Sequence, residues 1–443
     1  MFLTIRGASS HSSRTVSFAR WLGAMGLVLT LAACGGSDNN NSSNSGGSSG
    51  GGSSGGSTST SNPTAQPITA DGTNSVPITV NAGAANFVNI PNVSVTVCQP
   101  GTTVCQTIDN IQLDTASYGL RLLNSAAQTV LGNLPNVKAS NGGQLAECAG
   151  FADGYTWGTV RQTDVRIGTE TASNIPIQII GDLSASSAPT GLNGCPSGND
   201  ENELSEIGAN GILGVGSTTY DCGASCATNA LNAMYFSCTN GANCTGVATP
   251  VASQVVNPVT KFAVNNNGVI VQLPPIPDGG AATATGTLIF GIGTQSNNTL
   301  AGVTKYGTDS FGNLSGTYKG AQYSTFFDSG SNGNFFQDSF PLCSSTSAFY
   351  CPSSEQNLSA VIKGLEGNTA TIPFSVVSAR TLTAGGGRRQ VCVRYARWSV
   401  GHFGLRLRHA VLLRTSCLRR LRSAEQHAVR GVLIVRGVLI RLR

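Results

Sequence analysis

Histidine is almost missing from this chain. Its 443 residues hold four, His11, His402, His409 and His427, and none lies between Cys34 and Gly387. That gap excludes Ser-His-Asp and Cys-His nucleophile systems from the whole central stretch, and His-rich zinc sites with them. Hydrolytic chemistry there falls to carboxylates, because no local motif supports a Ser-Lys pair. Charge is scarce too: Asp, Glu, Lys and Arg make up 11% of the residues, and aromatics 6%. The apolar run near the N-terminus, Trp21 to Ala33, is too short to span a bilayer.

What stands around that run reads as an export signal. Arg6, Arg14 and Arg20 give residues 1–33 a positive start. Leu31-Ala32-Ala33-Cys34 resembles a bacterial lipobox, which implies cleavage before Cys34 and lipid on its sulfur and new amino terminus. Gly35 rather than Asp follows, which in such lipoproteins implies the outer membrane, facing the periplasm or the surface. Several acyl chains together would anchor the protein stably. After Cys34, residues up to 62 are almost only Gly, Ser, Asn and Thr, a composition that buries no core. They are expected to form a flexible tether with a reach of about 30 Å.

The other end changes character abruptly. Residues 35–387 hold 9 Lys and Arg against 20 Asp and Glu, whereas 388–443 hold 14 Arg and a single acid, Glu425. The net charge of +5 therefore averages two unlike pieces. The Arg430–Arg443 stretch reads like a GC-rich gene translated in the wrong frame, with the junction near Gly385–Gln390. On that reading 388–443 is not part of the fold. A basic arm for anionic lipid or nucleic acid is the alternative, and nucleic acid is not expected of an exported lipoprotein.

Residues 63–387 remain, enough for two lobes. Short β-type runs alternate with turn residues at Phe87–Ile90, Val93–Cys98, Thr159–Ile167, Ile175–Ile180, Gly268–Leu273, Thr287–Ile292 and Thr369–Val377. Helices are expected only at Ala227–Phe236 and Asn357–Leu365. The class is mainly β. Ten cysteines fall here, an even number that suits an oxidising compartment. Sequence proximity favours Cys98 with Cys105, Cys222 with Cys226, Cys238 with Cys244 and Cys343 with Cys351, leaving Cys148 for Cys195. Cys392 and Cys417 lie in the suspect tail.

Two segments carry the chemistry. Asp114-Thr115-Ala116-Ser117 follows the apolar run Ile108 to Leu113, and Asp328-Ser329-Gly330-Ser331 follows Tyr323 to Phe327. Two carboxylates a few ångströms apart cannot both ionise, so they share one proton and supply base and acid together. Small residues after each Asp let the turns approach, and the hydroxyls can orient the carboxylates. One such turn is weak evidence; a pair, one in each half, is stronger.

Those turns, and what lies between them, resemble pepsin-like aspartic peptidases. Phe151 to Val160, then Asp164 to Gly168, is similar to the flap hairpin and its return strand. Ala209 to Gly216 resembles the strand that closes the first lobe beneath its Asp, and Thr287 to Gly293 the strand opening the second. More narrowly, the chain resembles a family of uncharacterised proteobacterial secreted lipoproteins, domain-of-unknown-function family 3443. The resemblance implies a bilobal fold, with the first lobe and inter-lobe segment at 63–286 and a partial second lobe at 287–387. It implies that Asp114 and Asp328 activate water, Thr115 and Ser329 support the dyad's base, and Ser117 and Ser331 bond its outer oxygens. Phe151, Tyr155 and Trp157 would line the flap or cleft. Neither cofactor nor metal is implied.

The departures set the alternatives. Ala116 stands where Gly is usual, Phe151 where pepsins carry Tyr, and no second closing strand is found after Thr383. The expected function is a membrane-anchored aspartic endopeptidase, or a defective copy, acting on peptide or unfolded protein as a monomer. A non-catalytic peptide- or protein-binding module on the same scaffold is the alternative, and a carboxylate glycoside hydrolase the third. The acidic run Gly198 to Glu206 is read as a solvated loop rather than a calcium site, for it lacks an EF-type spacing.

Overall fold

Strands β1 (Ser75–Val80), β2 (Pro91–Cys98) and β3 (Cys105–Asp114) lead the chain to the first Asp turn, and the third breaks its own alternation. Its buried apolar residues are Ile108, Ile111 and Leu113, unevenly spaced. Asn110 takes a left-handed φ of 57°, and the register against β2 shifts between Val93 and Val95. This bulge lets all three apolar side chains face one core, which strict alternation would forbid.

The structure, a computed structural model, describes residues 67–380 apart from Val88, Asp153, Ser197, Pro275, 277–280, 301–302, Asn332 and 345–348. Beyond 380 it describes only the backbone of four short strands. The chain divides into units Met1–Thr58 and Ser59–Arg443, and every described residue belongs to the second. The expected leader, Cys34 and the tether lie outside the described residues.

Strand β4 (Tyr118–Leu123) leaves the first turn and precedes α1 (Gln128–Leu131). A meander of β5 (Gln144–Gly150), β6 (Gly154–Ile167) and β7 (Glu170–Ile180) follows. Then come β8 (Asn199–Asp200), α2 (Leu204–Ile207) and β9 (Gly211–Val215). Strand β9 lies between β3 and β4, parallel to one and antiparallel to the other. Strand β4 pairs β7, β7 pairs β6, and β6 pairs β2, which returns to β3. Six strands thus close a ring, and its apolar interior fixes which side chains face inward.

Outside the ring lie α3 (Ala224–Thr228), β10 (Tyr235–Thr239), β11 (Ala242–Gly246), β12 (Val269–Gln272) and β13 (Ala284–Phe290). Strands β10 and β11 extend the sheet beyond β5, and β13 and β12 extend it beyond β1. The segment expected to open the second lobe therefore sits in the large sheet. A separate four-stranded sheet holds β14 (Leu314–Tyr318), β15 (Ala321–Thr325), β17 (Gln356–Lys363) and β18 (Thr369–Val376), in the order β15-β14-β17-β18. Short β16 (Asn334–Phe335) follows the second Asp turn. One core spans both halves, from Ile111, Leu113 and Leu213 to Phe327, Phe336 and Ile362. Each such side chain contributes about 1.5–3 kcal/mol on burial.

In the tail, β19 (Ala396–Arg397) pairs β16 and β20 (Cys417–Arg419) pairs β12, while β21 (Ile434–Val435) and β22 (Val438–Leu439) pair with each other. Two short pieces of the Arg-rich tail thus pair with the domain through their backbone.

The mainly β class holds, and all five expected disulfides form: Cys98–Cys105, Cys148–Cys195, Cys222–Cys226, Cys238–Cys244 and Cys343–Cys351. Three local expectations do not. Asn357–Leu365 is strand β17, whose Leu358, Ala360 and Ile362 are its more buried positions, a period of two set by pairing with β14 and β18. In Ala227–Phe236 the helix stops at Thr228, because Asn side chains capture the next amides. Asn229 Oδ1 accepts from Leu231 N, and Asn232 Oδ1 accepts from Met234 N and Tyr235 N. Phe87–Ile90 is no strand, since Asn86 and Asn89 both take left-handed φ.

Candidate active site

Asp114 ends β3, and Asp328 stands three residues beyond β15. Each bends into a turn whose backbone returns to its own carboxylate. Ala116 N donates to Asp114 Oδ1 at 2.8 Å, and Gly330 N donates to Asp328 Oδ1 at 2.7 Å. Behind β3, β9 buttresses the first turn, with Asp114 opposite Gly214.

Thr115 and Ser329 fasten the turns to each other. Thr115 Oγ1 donates to Phe327 O at 2.9 Å and accepts from Ser329 N at 3.0 Å. Ser329 Oγ donates to Leu113 O at 2.6 Å, and Thr115 N donates to Ser329 Oγ at 3.2 Å. Each hydroxyl thus spans to the carbonyl preceding the opposite Asp, a reciprocal set of four bonds. Thr115 is fully buried and Ser329 nearly so, which makes each bond costly to lose.

This clasp brings the two carboxyls within hydrogen-bonding reach of each other. A bond between two carboxyls needs one proton. Loss of hydration, then the Asp114 charge, pushes Asp328 up to about 7, against the Ser331 hydroxyl, which lowers it. Asp328 therefore keeps its proton at mildly acidic pH.

The turns are alike in sequence and unlike in bonding. Ser331 Oγ donates to Asp328 Oδ2 at 2.7 Å, and Ser331 N to Oδ1 at 3.1 Å. Ser117 does not repeat this. Its hydroxyl is buried without a hydrogen-bond partner and lies over Gly214, where a Cβ would stand 2.8 Å away. The expected bond from Ser117 to Asp114 is thus absent, because close packing of the turn on β9 holds the hydroxyl elsewhere.

One contributor was not anticipated, Gln112, while Gly330 meets the expectation that a small residue lets the turns approach. Gln112 Nε2 donates to Gly330 O at 2.8 Å, a fifth tie between the turns. At Gly330 an added Cβ would stand 2.9 Å from Asp114 Cγ, so the close approach of the carboxyls requires glycine there. Alternation along β3 marks Gln112 as pointing away from the core, but its partner lies 218 residues on.

The expected flap residues lie in satellite cores. Trp157 is fully buried against Phe236, Cys148 and Cys238, and its indole donates to Ser187 Oγ at 3.0 Å. It is a core residue, not a cleft residue, because its ring packs edge-on against Phe236 in that satellite cluster. Tyr155 packs at the edge of the same cluster, and burial, then Asp200, raises its hydroxyl pKa. Phe151 packs against Leu123, Ile180, Ile207 and Ile212.

A groove of about 880 Å³ lies elsewhere, lined by Phe87, Ile180, Leu204, Asp200, Glu203 and Glu206 among others, and includes no dyad residue. Burial, then Glu206 and Glu203, raises Asp200. Among the described residues no group of three or more His, Cys, Asp or Glu is placed to hold a metal. No described helix is long and apolar enough to cross a membrane.

Two Asp turns clasped by reciprocal hydroxyl bonds, the first backed by a strand threaded between its flanking strands, define a pepsin-like scaffold. The chain belongs to the family described as protein of unknown function (DUF3443), whose model matches residues 70–393. Among solved structures it is similar to the aspartic proteinase from Irpex lacteus, at 17% identity over 74% of this chain and 87% of that one, with a TM-score of 0.40. At that score the likeness adds nothing to the geometry of the turns. No curated protein matches the chain.

Proposed function

We propose that the protein is an aspartic endopeptidase-like lipoprotein, anchored through Cys34 to the outer membrane and acting on peptide or unfolded protein. The observation that carries this reading is the Asp114–Asp328 pair, held by the Thr115–Ser329 clasp with Asp328 raised to about 7. In such a pair the ionised carboxyl takes a proton from water while the protonated one gives its proton to the scissile carbonyl oxygen. With Asp328 near 7, the singly protonated form persists through mildly acidic pH and is lost above neutrality. Five disulfides suit an oxidising compartment.

The test is cleavage of an unfolded protein at pH 5 by the full chain, by Asp114→Asn and by Asp328→Asn. Cleavage by the unaltered chain and a loss of at least about 1,000-fold in each variant are expected. Cleavage that survives both substitutions sinks the reading. The partnerless Ser117 hydroxyl favours one other reading, a peptide-binding module. That module would keep its ligand after either Asp substitution and cleave nothing.

A further inference from the structure

A second pair of carboxyls shares a buried site, away from the dyad. Arg121, on the strand that leaves the first Asp turn, folds its guanidinium back so that Nη1 donates to Tyr118 O at 2.7 Å. Its Nη2 donates to Glu147 Oε1 on β5 at 2.5 Å and to Asp221 Oδ2, in the segment after β9, at 3.0 Å. The side chains of Arg121, Glu147 and Asp221 are 2%, 0% and 3% exposed. Tyr235 on β10 donates its hydroxyl to Asp221 and accepts from Val255 N at 2.7 Å. Three segments therefore meet at one guanidinium, and two more join through the Tyr235 hydroxyl.

The charges do not balance if both acids ionise. The titratable groups facing Asp221 are Glu147 from β5, Arg121 from β4 and Tyr235 from β10. Tyr235 is held neutral, since burial and then Asp221 push its hydroxyl well above the ordinary range. One cation thus faces two carboxyls, and a single nitrogen, Arg121 Nη2, bonds an oxygen of each. Two buried carboxyls gathered on one nitrogen repel each other when both are charged, which favours retention of a proton at the site. Glu147 Oε2 is buried without a partner, so no protein donor solvates a second negative charge at that oxygen.

We propose that Glu147 and Asp221 share one proton on Arg121, and that this proton latches β5 and residues 216–223 to the strand leaving the first Asp turn. The latch closes at acidic pH and opens when the proton leaves. Its sign follows from Asp221, which burial first and Glu147 second hold well above the usual carboxylate range. A carboxyl raised in the folded state contributes stability that is lost as pH rises from its unfolded value through its folded value. The latch is independent of whether the dyad is catalytic.

The test uses the full chain carrying Asp328→Asn, which removes the dyad's own titration. Amide-exchange protection of β4 and β5, corrected for intrinsic rates, is compared at pH 5 and pH 8. A fall of tenfold or more is expected, and addition of Asp221→Asn or Glu147→Gln should abolish it. No fall, or a fall that survives both substitutions, overturns the proposal. The infrared band of a protonated carboxyl provides a check that does not need the second variants to fold. It should persist at pH 7 in the Asp328→Asn chain, and its absence there also overturns the proposal.

Discussion

The two Asp turns began as near copies in sequence, and they are held in different ways. The first is buttressed by β9 between its flanking strands, yet its Asp114 accepts one backbone amide and no Ser hydroxyl. The second has no described strand in the place of β9, yet its Asp328 accepts two amides and a hydroxyl. One turn is positioned by the sheet behind it, the other by its own side chains. Short motifs therefore fix the chemistry of a turn without fixing what holds it.

The largest effect should come from cutting the clasp, which serves both turns equally. Thr115→Val and Ser329→Ala each remove a buried donor and acceptor and should each cost about 2–4 kcal/mol in urea denaturation. A clear excess for either would mean that one turn leans on the clasp more. Next comes the tiny residue of each turn. Gly330→Ala forces a methyl against Asp114 and should cost about 1–3 kcal/mol, whereas Ala116→Gly should change stability by less than about 1 kcal/mol. Equal effects would erase the difference between the turns.

The hydroxyls give the smallest and sharpest contrast. Ser331→Ala removes a bond that lowers Asp328, so NMR titration should place that carboxyl above about 7. Ser117→Ala removes a hydroxyl that bonds nothing and should leave stability within about 0.5 kcal/mol. The pH dependence follows in sign. Asp328 is raised above its unfolded value of about 4, so its contribution is complete below pH 4 and lost as pH rises through 7. Asp328→Asn should flatten that part of the stability profile.

The dyad was legible because Asp, a hydroxyl, a small residue and Ser follow an apolar run twice, and each part of that pattern is local. Disulfides were legible for the same reason, four pairs being eight residues apart or closer. The Arg121 cluster was not. Its members are spread from 121 to 235, and nothing near any one of them announces the others. Ser117 and Ser331 were read as equivalents because their difference lies in β9, not in their own turns. The helix expected at Asn357–Leu365 failed because apolar residues at 358, 361, 362 and 365 fit a helical period while those at 358, 360 and 362 fit a period of two, and only the neighbouring strands decide.

The threading of β9 between β3 and β4 also orders the assembly of the molecule in time. Strands adjacent in the chain cannot pair as a simple hairpin if a third must enter between them, so β3 and β4 wait for residues made nearly a hundred positions later. Such distant contacts require a long loop to close first, which slows folding. The clasp then waits for Phe327 and Ser329, farther still along the chain. The first Asp turn is thus the earliest part of the site to be synthesised and among the last to be set.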